Sequence, residues 1–208
     1  MREEVVRKVR ADKKIDCKPT ILDNLKESID RLSYITNTPI KDVAEALTLL
    51  CLESDKVIES LSPHMRRNYT FNNNVFYIGD VKRESLQKLQ LQGNTSRITI
   101  RFKQQDIEKI KSLAFALDVT PSKCVALLLE FSFKHAEIIN SFVKEFIQGN
   151  LDKRRMEELE KVIKYIESQN PNQEKFGWVE LIQYLFDEVK INSQSITTTL
   201  KEWIDKVT

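Results

Sequence analysis

The sequence predicts a mainly α-helical protein carrying a small two-stranded antiparallel β-ribbon, and three observations predict it. Arg97-Ile98-Thr99-Ile100-Arg101-Phe102 alternates polar and apolar residues with the period of a half-buried strand. The residues that follow switch to a helical period, and the same strand-helix-helix order occurs earlier in the chain, from Lys14. Only 4 Gly and 5 Pro interrupt 208 residues rich in Leu, Ile, Lys, Glu and Gln, a composition that favours helix elsewhere.

Residues 1–13, MREEVVRKVRADK, form a charged lead, either a solvated terminus or a basic arm. Residues 14–54 form the first strand-helix-helix unit. In its strand Ile15, Cys17, Pro19 and Ile21 point inward, and Lys14, Asp16, Lys18 and Thr20 point outward. Proline has no amide to give a ladder, so the strand is expected to end near Lys18. Leu25, Leu32 and Ile35 stripe the first helix; Thr38 is placed to cap the second, with Pro39 at its first position.

Residues 55–94 connect the units. The apolar spacing of Val57, Ile58 and Leu61 continues the second helix until Ser62-Pro63 stops it. The run RRNYTFNNNVFYIGD, with two apolar-aromatic segments about Asn72-Asn73-Asn74, reads as a small hairpin or an extended crossover. Ser85 to Gln92 reads as a short helix ended by Gly93-Asn94.

Residues 95–148 form the second unit. Ile98, Ile100 and Phe102 face inward; Arg97, Thr99 and Arg101 make a basic outer face. Ile107, Ile110, Ala114 and Leu117 stripe a helix, Asp118-Val119 breaks it, and Thr120-Pro121 opens the next. The stripe Phe131, His135, Ile138, Ile139, Phe142, Val143 and Phe146 carries that last helix on to Gly149-Asn150. A shift of 82 residues lays Thr38-Pro39-Ile40-Lys41 on Thr120-Pro121-Ser122-Lys123. Residues 149–208 read as a C-terminal helical domain with helices near 151–169, 177–189 and 194–206. It is a candidate surface for homo-oligomer formation, or a second helix-turn-helix reader presenting Thr197, Thr198 and Lys201.

The run TSRITIRFKQQDIEKIKSLAFALDVTPSKCVALLLEF, with its counterpart from Lys14, resembles the ribbon-helix-helix family of DNA-binding proteins. In that family two units pair their strands antiparallel and interlock their helices. Two units in one chain therefore imply an intramolecular pseudo-dimer, with residues 14–19 paired to 97–102. The resemblance implies double-stranded DNA as the partner, its major groove being about 12 Å wide and able to admit a two-stranded ribbon. Arg97, Thr99, Arg101, Lys14, Asp16 and Lys18 are then the candidate base-reading residues. Helix N-termini attract anions, so Thr38 and Lys41 in the first unit, and Thr120, Ser122 and Lys123 in the second, are the candidate phosphate anchors. Unlike strands imply an asymmetric DNA element. The expected role is a transcriptional repressor or regulator, with a plasmid or phage partition protein as the alternative. From another class stands a helical protein-interaction or antitoxin-like module.

Composition bounds the rest. Residues 1–150 hold 24 Lys+Arg against 20 Asp+Glu and residues 151–208 hold 9 against 11, so local placement of charge must do any attracting. No apolar run approaches the roughly 18 residues that span a bilayer, and the start lacks an apolar signal core, so a cytoplasmic, nucleoid-associated protein is expected, with no membrane partner. Cys17, Cys51 and Cys124 lie far apart on apolar sides of their patterns, as core thiols do. His64 and His135 stand in unrelated contexts and no Gly-rich phosphate loop is present, so neither an enzyme, a metal nor a cofactor is expected.

Overall fold

A computed structural model describes residues 14–72, 74–146 and 152–169. The chain runs β1 (Ile15–Cys17), β2 (Thr20–Leu22), α1 (Asp23–Thr36), α2 (Ile40–Glu53) and α3 (Asp55–Leu61). It continues through β3 (Tyr69–Phe71), β4 (Val75–Tyr77), β5 (Thr95–Arg97) and β6 (Ile100–Phe102) to α4 (Gln104–Leu117), α5 (Pro121–Ser132), α6 (Ala136–Phe146) and α7 (Lys153–Gln169). It is mostly helical, with small two-stranded antiparallel sheets.

β1 pairs with β6 and β2 with β5 in a single register: Ile15 faces Phe102, Asp16 Arg101, Cys17 Ile100, Thr20 Arg97 and Leu22 Thr95. β1 ends at Cys17, beside Lys18, as Pro19 suggested, and a second short strand, β2, follows it. Pro19 withholds one amide, yet its carbonyl accepts the amide of Ile98 at 3.2 Å, so the ribbon skips a bond and resumes at Thr20. Alternation sets the faces, for Cys17, Pro19, Ile21, Ile98, Ile100 and Phe102 are buried while Lys14, Asp16, Lys18, Thr20, Arg97, Thr99 and Arg101 are exposed.

The helices close over the apolar face. α2 packs on α5 and against β6; α5 packs against β1 and β2, so each second helix covers the strand of the other unit. Leu25, Ile29, Leu32 and Ile35 of α1, Val43, Leu47 and Cys51 of α2, and Ile107, Ile110, Leu113 and Leu117 of α4 belong to one continuous core. Burial of such side chains gains roughly 1.5–3 kcal/mol each, which is what holds a ribbon too short to stand alone.

The structural spacing of the units is 81 residues, from Asp23 to Gln104 and from Thr36 to Leu117, one fewer than the 82 that aligns the letters. Both first helices end on a left-handed residue, Asn37 at φ 53° and Asp118 at φ 58°. The slip falls on the caps. Pro39, not Thr38, occupies the N-cap of α2, which has no side-chain cap, whereas Thr120 caps α5 by accepting the Lys123 amide at 3.3 Å.

Each second helix is also shorter than its apolar stripe. α2 stops at Glu53, where Ser54 turns extended and caps α3, its hydroxyl accepting the Val57 amide. α5 stops at Ser132, whose hydroxyl donates to the Leu129 carbonyl at 2.7 Å; the chain turns through Phe133-Lys134-His135 and restarts as α6. The stripe survives both breaks because the new helices turn their own apolar sides onto the same core. Between the units, β3 and β4 form a hairpin with Asn72 at φ 48°, and the helix expected over Ser85 to Gln92 shrinks to one 3-10 turn, Leu86–Lys88.

α7 lies on α1, burying Met156, Leu159, Val162 and Ile166 in the common core, with Arg31 bridging Glu27 and Glu158. Tyr165 meets Phe133 edge-on at 5.6 Å between ring centroids. The charged lead before Lys14 and the helices expected at 177–189 and 194–206 fall outside the described residues.

Candidate nucleic-acid interface

The outer face of the ribbon is a ladder of opposed side chains. Asp16 lies opposite Arg101 and Thr20 opposite Arg97; the same register carried between them sets Lys18 against Thr99. Lys103 continues the alternation past β6 and is exposed. Five exposed cations, Lys14, Lys18, Arg97, Arg101 and Lys103, therefore share this face with one carboxylate, Asp16. Strand pleat explains the segregation: every second residue is turned out, and those residues are polar from Lys14 to Thr20 and from Arg97 to Lys103.

Three of the six candidate base readers are engaged within the chain. Lys14 reaches Glu45 of α2 at 2.7 Å, tying the start of β1 to the helix that packs on β6. Arg101 Nε donates to Asp16 Oδ1 at 3.0 Å across the strands. Lys18, Arg97 and Thr99 have no side-chain hydrogen bond or ion pair among the described residues. Arg97 and Lys18 are thus open cations on the middle and far rows of the ladder.

The flanks differ from one another. At α2 the first turn is uncapped, Lys41 is exposed, and Thr38 spends its hydroxyl on the Thr36 carbonyl at 3.3 Å; Asp42 in the same turn offsets part of the positive end. At α5 the connector lies over the helix start. Gln87 Oε1 accepts the Thr120 amide at 2.9 Å, Lys123 Nζ donates to the Leu89 carbonyl at 3.2 Å, and Ser85 donates to the Asp118 carbonyl at 3.4 Å. Ser122 turns toward the ribbon, its hydroxyl 3.6 Å from Cys17 Sγ. So among the described residues Lys41 has no partner at the start of α2, and Lys123 is held at the covered start of α5.

Outside this face the polar groups serve the fold. Arg66 and Arg67 bind Asp118 at 3.1 and 2.7 Å, their amides donate to the Ala116 carbonyl, and Arg67 lies 4.5 Å over the Phe115 ring, so they finish the end of α4. All three cysteines are buried, and burial pushes the Cys51 and Cys124 thiols far up. His135 sits between α3 and α6 with Nε2 3.2 Å from the Ser60 hydroxyl; its burial holds the imidazole below the usual range, against the pull of Glu137. Among the described residues no group of three or more His, Cys, Asp or Glu is placed to hold a metal ion.

Lys103 and Thr20 complete the outer face although sequence reasoning did not assign them a role; the alternation through Arg97, Thr99 and Arg101 already pointed to Lys103. Gln87 gave no signal, being 33 residues from the amide it holds. Compared with known proteins, the chain matches no family model, no curated protein and no solved structure.

Proposed function

We propose that the chain is a sequence-specific double-stranded DNA-binding protein of ribbon-helix-helix type. Its two units fold on one another as a pseudo-dimer, and its role is that of a transcriptional repressor or regulator. The observation that carries this reading is the ribbon itself: two short antiparallel strands, apolar face buried, with five cations and one carboxylate on the exposed face. A ribbon of this width fits the major groove, where Arg97 and Arg101 offer forks suited to the guanine O6 and N7 acceptors and Thr99 a hydroxyl and a methyl. Lys18 and Lys103 add charge toward the flanking phosphates, and the open start of α2 with Lys41 supplies an anchor on one side.

Selection of duplexes from a random pool, followed by titration across a salt series, tests it. A DNA-binding ribbon enriches one sequence element, and log affinity falls linearly with log salt at a slope of about 0.9 per phosphate neutralised. A second reading, a protein-interaction module, draws on the exposed Val75, Phe76, Ile78 and Val81 of the hairpin segment. It gains ground if no duplex is bound at low salt.

A further inference from the structure

The two arginines of the ladder have different neighbours. Arg101 stands beside Asp16, its Nε 3.0 Å from Oδ1, whereas Arg97 stands beside Thr20 and has no carboxylate partner among the described residues. The 81-residue spacing makes the contrast sharper, because it sets Asp16 at the place that Arg97 holds in the other unit and Thr20 at the place of Arg101. The two ends of one nearly symmetric ladder thus carry one buttressed and one unbuttressed guanidinium.

The pair contributes little to folding. The side chains of Arg101 and Asp16 are 61% and 47% exposed, and ion pairs that open to water are close to neutral for stability. A carboxylate on a face meant for phosphates also works against binding by its charge. What the contact does achieve is orientation. With Nε given to Asp16, the two terminal nitrogens of Arg101 remain, and they form the end-on fork that spans guanine O6 and N7. A guanidinium already held in that attitude has less freedom to lose on docking, and it is poorly placed to settle for the single acceptor of another base.

Resting on the DNA-binding reading above, we infer that Asp16 is a positioning residue for recognition: it fixes Arg101 for guanine, so that one end of the bound element is strict and the end under Arg97 is tolerant. This differs from a base-reading role for the carboxylate, and from a purely repulsive one.

The test uses the full chain and duplexes selected by it. Each position of the selected element is substituted in turn, and competition titrations are run for the wild type, Asp16→Ala, Arg101→Ala and the double variant, with thermal melting of each protein. The wild type is expected to prefer guanine roughly tenfold or more at one position and less at the position under Arg97. Asp16→Ala, which removes the oxygen that Arg101 Nε donates to, should lose most of that preference at the strict position alone. It should bind random duplex at least as well as the wild type and melt at the same temperature. Arg101→Ala should lose the same preference, and adding Asp16→Ala to it should change nothing further there. If Asp16→Ala tightens binding to every duplex equally and leaves the guanine preference intact, Asp16 only repels and the inference falls while DNA binding stands. If the wild type selects no duplex at all, both fall together.

Discussion

Gln87 Oε1 accepts the backbone amide of Thr120 at 2.9 Å, closing the start of α5 with a side chain from the connector, while the equivalent start of α2 at Pro39 has no such cover among the described residues. The two flanks of the ribbon are therefore chemically different although the sequence repeats Thr-Pro-x-Lys at both. Lys41→Ala is expected to weaken all duplexes alike and to lower the salt slope by about one. Lys123→Ala, whose ammonium is given to the Leu89 carbonyl, should leave the slope unchanged. Polarisation titrations over a salt series read both; equal effects would restore two equivalent anchors.

The same difference appears in stability. Thr120 caps α5 by accepting the Lys123 amide, so Thr120→Ala should cost about 1 kcal/mol in urea unfolding. Thr38→Ala, at a helix with no side-chain cap, should change it by less than about 0.5 kcal/mol. A cost at Thr38 as large as at Thr120 would mean that α2 starts one residue earlier than described.

The two faces of the ribbon should separate folding from recognition. Ile100 is fully buried, and Ile100→Ala should cost about 2–5 kcal/mol, with Ile100→Asp abolishing the cooperative melt. Thr99→Ala, one residue away on the exposed face, should melt as the wild type does and alter only DNA preference. A large loss of stability at Thr99 would place that side chain inside.

His135 supplies a pH dependence. Burial lowers its folded pKa, so the unfolded chain binds the proton more readily, and the folded state is favoured above the unfolded value of about 6.5. That contribution is lost as pH falls through 6.5 toward the folded pKa. Melting temperature should therefore drop on acidification below pH 6.5, and His135→Gln should make that part of the curve flatter. A His135→Gln curve that is as steep as the wild type's would assign the drop to other groups.

Much of the fold was legible because its signals are local. Alternation in Arg97 to Phe102 and in Lys14 to Ile21 gave the faces of both strands, and Asn37 and Asp118 end helices where the apolar stripes stop. The two over-long second helices have one cause, which is that an apolar stripe reports burial and not continuity. Val57 and Ile58 after Ser54, and Ile138 and Ile139 after His135, keep facing the core although the backbone has turned. Pro19 marked the end of β1 but not the resumption of pairing in β2, since a single missing amide interrupts a ladder that the next residues can rejoin. For the candidate interface, the outward residues followed from the pleat, but their partners did not. Asp16 and Arg101 are 85 residues apart and Lys14 and Glu45 are 31 apart, separations at which no sequence period carries information.

The most direct measurement is selection of duplexes from a random pool by the wild-type chain and by Arg101→Ala, an exposed substitution that should leave the melting temperature unchanged. DNA readout by the ribbon predicts one asymmetric element from the wild type, with preference at one position lost in Arg101→Ala. An unenriched pool from the wild type, or the identical element with identical preferences from both proteins, would contradict it.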